Sequence, residues 1–135
     1  MFKNYFFRDL EYGLKKEIEL LPFLQNFFND DSITKLNKMN CFDFIGNQKF
    51  IELKARNNNY NKYDSTMIGY NKIKKASEIN EDVYFFFCFT DGLFYYKYNK
   101  NDQFEIRKGG RYDRIKSGEI KDYVYIPISL LTKVS

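Results

Sequence analysis

The segment Phe42-Asp43-Phe44-Ile45-Gly46-Asn47-Gln48-Lys49-Phe50-Ile51-Glu52-Leu53-Lys54 sets three charged residues inside stretches that otherwise carry apolar side chains. Side chains alternate along a strand, so Glu52 and Lys54 share one face while Ile51 and Leu53 share the other. Gly46-Asn47 is a hairpin turn signal, and an even-length loop there brings Asp43 to the face of Glu52 and Lys54. A two-residue loop sets Asp43 opposite Phe50 with Glu52 diagonal to it; a four-residue loop sets it directly opposite Glu52. Both leave the carboxylates within roughly 4–8 Å, a separation that one hard divalent cation bridges. Two carboxylates and an ammonium crowded on one patch are costly unless something offsets their charge. Mg²⁺ or Mn²⁺ would do so, since both favour carboxylate and water oxygens. Such an ion activates water and neutralises charge building on a phosphoryl oxygen. Lys54 could orient that water or stabilise the transition state. The alternative is a surface hairpin whose three charges are solvated and weakly paired.

Other elements must position these groups. Between residues 9 and 28, Leu10, Leu14, Ile18, Leu21, Leu24 and Phe28 recur at helical spacing, with Asp9 as N-cap. Pro22 predicts a kink or break. At about 100° per residue Glu17 falls inside this apolar stripe and Glu19 faces solvent. A buried acid needs a partner, which a cation or Lys54 supplies; otherwise Glu17 sits at the stripe's edge and reaches out to water. Glu11, at the other edge, reads as a first-turn acid favoured by the helix dipole. Strand character follows at 32–36, 40–45 and 49–55, then an Asn-rich loop at 57–62. Residues 65–79 predict a second helix capped by Asp64 or Ser65, with Gly69, Tyr70, Ile73, Ala76 and Ser77 facing inward. The unbroken apolar run 83–90 reads as a strand covered on both faces. A turn at Asp91-Gly92 leads to a partner strand at 93–98, and shorter strands are expected at 104–107 and 123–128. This order predicts a single α/β domain over residues 1–135, a mixed sheet flanked by helices. Its core spans about 10–98, with C-terminal strands within 104–131.

Composition narrows the chemistry. The chain has 135 residues, 22 Lys+Arg against 18 Asp+Glu, and a formal charge of +4, which permits a polyanionic partner without demanding one. Aromatic residues make up 20% of the chain, enough large side chains to build a core and to exclude wholesale disorder. The absence of His removes His-based triads, His-ligated zinc and imidazole acid–base work. Two cysteines, Cys41 and Cys88, cannot form a four-thiolate zinc site, and their apolar settings predict buried free thiols of a reducing compartment. No segment is apolar for the roughly 18 residues of a membrane span, and no signal peptide is expected. The expectation is a soluble, intracellular protein with no membrane partner.

A helical Glu, then Asp-x8-Glu-x-Lys on a hairpin, then a helix and an apolar strand resembles the PD-(D/E)XK nuclease superfamily. The resemblance covers residues 10–98 and implies a restriction-endonuclease-like αβββαβ core. It implies a Mg²⁺- or Mn²⁺-dependent endonuclease acting on DNA, with RNA not excluded, and 5′-phosphate products. By position Asp43 and Glu52 would bind the metal, Glu17 would complete the acidic cluster, and Lys54 would assist hydrolysis. One departure is Phe42, which stands where the motif's Pro would be. The chain is also similar to small nucleases of DNA viruses and phages, Holliday-junction-resolvase-like ones included, which extends the expectation to branched DNA and a viral source. Inside a host cell that places it in cytoplasm, nucleus or virion. A catalytically inactive nuclease-fold module that binds nucleic acid or a protein is the competing expectation.

Further nucleic-acid contacts are expected at Lys72, on the flank of the second helix, and at Arg56 beside the Asn-rich loop. Lys108 and Arg111, in a basic glycine-broken loop with Arg107 and Arg114, complete the set. Each also reads as an ordinary solvated side chain. A homodimer would follow if the aromatic strand 93–98 formed an exposed sheet edge or apolar patch.

Overall fold

The computed structural model describes residues 2–109 and 121–134, with residues 2–12 as helix backbone alone. Its elements run α1 (Phe2–Phe27), β1 (Thr34–Lys35), β2 (Phe44–Gly46), β3 (Lys49–Ala55), β4 (Ser65–Gly69), α2 (Tyr70–Glu78), β5 (Asp82–Phe89), β6 (Gly92–Lys97), β7 (Glu105–Gly109), β8 (Lys121–Pro127), a 3-10 turn (Ile128–Leu130) and β9 (Thr132–Lys133). A six-stranded mixed sheet has the order β1-β2-β3-β5-β6-β9, and a second sheet has the order β4-β8-β7. β3 and β5 run parallel, from Lys49↔Asp82 to Ala55↔Cys88, while the other neighbours in both sheets are antiparallel. This is the α/β, restriction-endonuclease-like architecture that the sequence predicts.

β5 sits at the centre because its side chains are apolar on both faces. Phe85, Phe86 and Phe87 are all fully buried. Phe86 packs with Leu24, Ile33, Phe44, Ile51 and Leu53 under α1, whereas Phe85, Phe87 and Phe89 pack with Ile68, Ala76, Val124 and Ile126 toward α2 and the second sheet. Cys41 and Cys88 are unpaired thiols, half-buried and not fully enclosed.

Among the described side chains of α1, it is those near its C-terminal end that dock on the sheet. Leu24 is buried and Leu20, Leu21, Phe23 and Phe28 pack beside it, but Leu14 and Ile18 are 42% and 66% exposed. The predicted stripe is therefore corrected at those two positions, and Asp9 lies inside the helix instead of capping it. The side chains of Leu10 and Glu11 lie outside the described residues. The helix passes through Pro22 unbroken. Proline removes the bond to the Ile18 carbonyl, and both residues face solvent, where water replaces it. α1 ends in a left-handed Asn29 (φ 49°), with Asp30 N–H donating to Gln25 O (2.9 Å) and Asn29 N–H to Asn26 O (3.1 Å). That pair of bonds satisfies carbonyls the helix leaves open.

Asp30 then ties the helix end to the β2–β3 hairpin. Its carboxylate accepts from Asn47 N (2.8 Å), Lys49 Nζ (2.8 Å) and Ser32 N (2.9 Å). Lys49, Ser32 and the Asn47 amide hold this carboxyl well below the usual carboxylate range. A depressed acid stabilises the fold above its unfolded pKa of about 4, and that contribution fades as pH falls further. Asp30→Asn is expected to lower the melting temperature at pH 7, with the gap to wild type narrowing below pH 4.

Three predicted boundaries are corrected. Residues 65–69 form a strand, not the start of a helix. Thr66 and Ile68 are buried in alternation, and the segment pairs with β8 from Ser65↔Pro127 to Gly69↔Tyr123. α2 is consequently short, starts after Gly69, and buries Ala76 while Tyr70 and Ser77 are exposed. The hairpin turn is Asn47-Gln48, with Gln48 at φ 54°, one residue later than the Gly46-Asn47 signal. Finally, β6 is no edge: β9 flanks it at Phe94↔Lys133 and Tyr95↔Thr132, and Leu93, Phe94 and Tyr96 are buried. The sheet-edge basis for a homodimer is absent. Among the described residues no helix is long and apolar enough to cross a membrane.

Candidate active site

The site arises where β2 stops short. Pairing between β2 and β3 ends at Phe44↔Ile51, so the later residues of β3 have β5 on one side and an open edge on the other. The chain enters this edge between two anchors, Phe42 in one core cluster and Phe44 in the other. Asp43, held between them, donates its N–H to Ile51 O (3.1 Å) and accepts the Leu53 N–H in its carboxylate (Oδ2, 2.8 Å). That bond satisfies a strand amide that no neighbouring strand reaches. The shifted turn matters here: one residue beyond Phe44↔Ile51, Asp43 falls in line with Glu52.

Glu52 is buried at 1% exposure. Lys54 Nζ lies 3.3 Å from its Oε2, and Lys72 Nζ, from α2, lies 3.4 Å from the same oxygen. Lys72 also donates to the Cys41 carbonyl. The other Glu52 oxygen, Oε1, is buried without a hydrogen-bond partner. Burial pushes the Glu52 carboxyl up to about 7; Lys54 and Lys72 oppose that shift and the neighbouring Asp43 adds to it. Glu17, reaching in from α1, is also pushed up to about 7, first by burial and then by Asp43, with Lys35 opposing at 3.6 Å. Asp43 thus stands between two acids whose hold on a proton is raised first by burial and further by its own charge, and among the described residues it pairs with no Lys or Arg.

These groups line one cleft of about 250 Å³ together with Lys35, Asn37, Lys38 and Asn40. All four residues read as catalytic from the sequence, Glu17, Asp43, Glu52 and Lys54, meet there, and so does Lys72. Arg56 does not. Its guanidinium donates to Met67 O (2.5 Å) and sits 5.9 Å over the Phe87 ring, tying the end of β3 to β4. Lys108 is exposed on β7 and does not line the cleft. Arg111 and Arg114 lie outside the described residues. Lys35 was not legible beforehand; it is placed by the β1–β2 register, Lys35↔Phe44, which sets it beside Asp43. The Asn37–Asn40 turn, in which Asn37 Oδ1 accepts from Met39 N (3.0 Å), offered only a weak local signal.

A hard divalent cation fits this donor set. The available atoms are carboxylate oxygens, one of them buried and unpartnered, next to an Asp with no cation of its own. Among the described residues no three Asp, Glu or Cys side chains stand together as a metal cage. The fit is therefore to an ion held by two carboxylates, Asp43 and Glu52, with water or substrate phosphate completing its shell, as Mg²⁺ prefers.

No curated protein and no solved structure matches the chain. Residues 11–134 match the family described as "Phage putative PDDEXK endonuclease", which spans the site and nearly the whole fold. The chain belongs to this PD-(D/E)XK nuclease family of phages.

Proposed function

We propose that the protein is a Mg²⁺- or Mn²⁺-dependent endonuclease that hydrolyses phosphodiester bonds in DNA, branched DNA included. The observation that carries the reading is the buried, unpartnered Oε1 of Glu52 beside an Asp43 that pairs with no Lys or Arg among the described residues. Asp43 and Glu52 would hold the ion, with Glu17 at its margin. Once bound, the ion supplies charge neutralisation at the phosphoryl oxygens and a Lewis acid for the attacking water. Lys54, whose side chain is 37% exposed at the cleft, orients that water and offers its ammonium to the developing phosphorane charge. Lys72 is the positioning residue: bonded to Cys41 O and Glu52, it fixes the buried carboxylate and keeps a third N–H for a phosphate. Attack by water at phosphorus expels the 3′-oxygen and leaves a 5′-phosphate.

The test is a panel of linear, flapped, junction and single-stranded DNAs, with RNA counterparts, incubated with wild type and Glu52→Ala in Mg²⁺ or Mn²⁺. Wild type is expected to cleave DNA, and Glu52→Ala to lose about a thousandfold or more in rate. Equal activity of the two proteins, or no cleavage of any DNA by wild type, overturns the reading. The absence of a three-carboxylate cage among the described residues is what favours a silent binding module instead. That module predicts DNA binding without cleavage in the same panel.

A further inference from the structure

A second cavity, of about 400 Å³, opens on the same face of the main sheet beyond the catalytic strand. Tyr60, Tyr63, Tyr125 and Phe89 line it together with Arg56 and Arg107, and among the described residues no acidic side chain does. We infer that this cavity receives an unpaired nucleobase of the nucleic-acid substrate, next along the strand from the scissile phosphate.

Three observations carry the assignment. The first is alignment. Arg56 N–H still bonds Cys88 O (2.9 Å), so the β3 alternation continues one residue past the strand and puts Glu52, Lys54 and Arg56 on one face. At about 3.3 Å per residue, Arg56 lies some 7 Å beyond Lys54. A DNA strand seated on the cleft and following β3 passes directly over the cavity.

The second is charge. Arg56 is half-buried and partly desolvated, yet its partners among the described residues are neutral: Met67 O, Thr66 Oγ1 and the Phe87 ring. Among the described residues no carboxylate pairs with it. A desolvated cation of this kind lacks its counter-charge, and its remaining N–H groups suit a phosphate or the acceptor edge of a base. Arg107, exposed at the rim, stacks 3.9 Å from the Tyr125 ring and bonds Glu105 (3.0 Å) only at the surface.

The third is the aromatic wall. Tyr60 is backed by Phe94 at 4.6 Å in a stacked arrangement, which fixes its ring. Tyr63 is 58% exposed, with Lys62 Nζ 5.5 Å from its ring centre, and offers its aromatic face to the cavity. Rigid aromatic faces combined with guanidinium groups and a volume in the small-ligand range of about 300–1,000 Å³ suit a planar base. A base paired inside a duplex cannot enter, so the cavity selects flaps, bulges or junction strands.

The inference rests on the nuclease reading for its substrate, but its test does not require cleavage. Two DNAs, one with 2-aminopurine in a one-base bulge and one with it paired to thymine, are titrated with the full chain in EDTA at low salt. Wild type is expected to quench the bulged base and to bind that DNA about tenfold or more tightly than the paired one. Tyr63→Ala and Arg107→Gln, both surface changes whose folding is checked by melting temperature, are expected to lose the quench and most of the preference. Equal binding of both DNAs by wild type, or an intact preference in both variants, overturns the inference. The same proteins assayed for cleavage in Mn²⁺ separate the two claims: cleavage without bulge preference sinks only the base site, and bulge preference without cleavage sinks only the nuclease reading.

Discussion

Changing Lys54 to Met is expected to lower the DNA cleavage rate by about two to three orders of magnitude while leaving divalent-cation binding in place. The side chain is the more exposed of the two lysines on Glu52, lies 3.3 Å from its Oε2 and borders the cleft. It can therefore reach both a bound carboxylate and an incoming phosphate. Removing it takes away charge stabilisation that matters most in the transition state, so rate falls more than substrate affinity. Lys54→Arg is not a conservative rescue, because the wider planar guanidinium does not fit a point-charge role beside a buried carboxylate. Single-turnover cleavage with saturating Mn²⁺, alongside a cation titration of the same variant, checks both halves. A variant that cleaves within a few-fold of wild type shows that Lys54 is a spectator.

Glu52→Gln is expected to abolish cleavage and yet to stabilise the cation-free protein above pH 7. Burial lifts Glu52 from 4.5 to about 7 and Glu17 to about 7. Both groups therefore hold protons in the folded state, between about pH 4.5 and 7, that they release when the chain unfolds. Wherever the native state binds more protons, stability falls as pH rises, so the wild-type chain loses stability across this window and regains none above it. For the buried Glu52 a shift of this size corresponds to about 3 kcal/mol as an upper bound. The neutral amide removes that cost. Melting temperatures in EDTA at pH 5, 6, 7 and 8 check the sign: wild type should fall steadily, and the variant should be flatter and higher at pH 8. Conflict between stability and function at one residue is what an acid kept for a cation would show.

The residues proposed to do chemistry were legible because charges are conspicuous inside apolar strands. Lys49–Ala55 is bounded as its alternation predicts, and the Val83–Thr90 run gives the doubly buried β5 because apolar side chains on both faces leave no other place for it. Glu17 was found from helical phase alone, although the neighbouring Leu14 and Ile18 proved exposed. Where the reading failed, tertiary pairing overrode a local signal. Ser65 looks like a helix cap, but Thr66 and Ile68 find partners in β8, a strand expected from its own sequence but some sixty residues away, so that no local pattern announces the pairing. Gly46 attracted the turn assignment, while the left-handed position is Gln48 and Asp30 holds the loop from outside. Arg56, expected as a nucleic-acid contact beside the Asn-rich loop, stands outside the cleft, with its guanidinium on Met67 O and over the Phe87 ring.

The most direct test asks whether a divalent cation binds at Asp43 and Glu52, with Glu17 at its margin. Thermal melting at pH 8 is followed for wild type, Asp43→Asn and Glu52→Gln, with and without millimolar Mn²⁺. Binding only to the folded state raises the melting temperature by mass action. A rise of several degrees is expected for wild type and none for either variant. No rise in wild type, or the same rise in all three proteins, contradicts a metal site at these carboxylates.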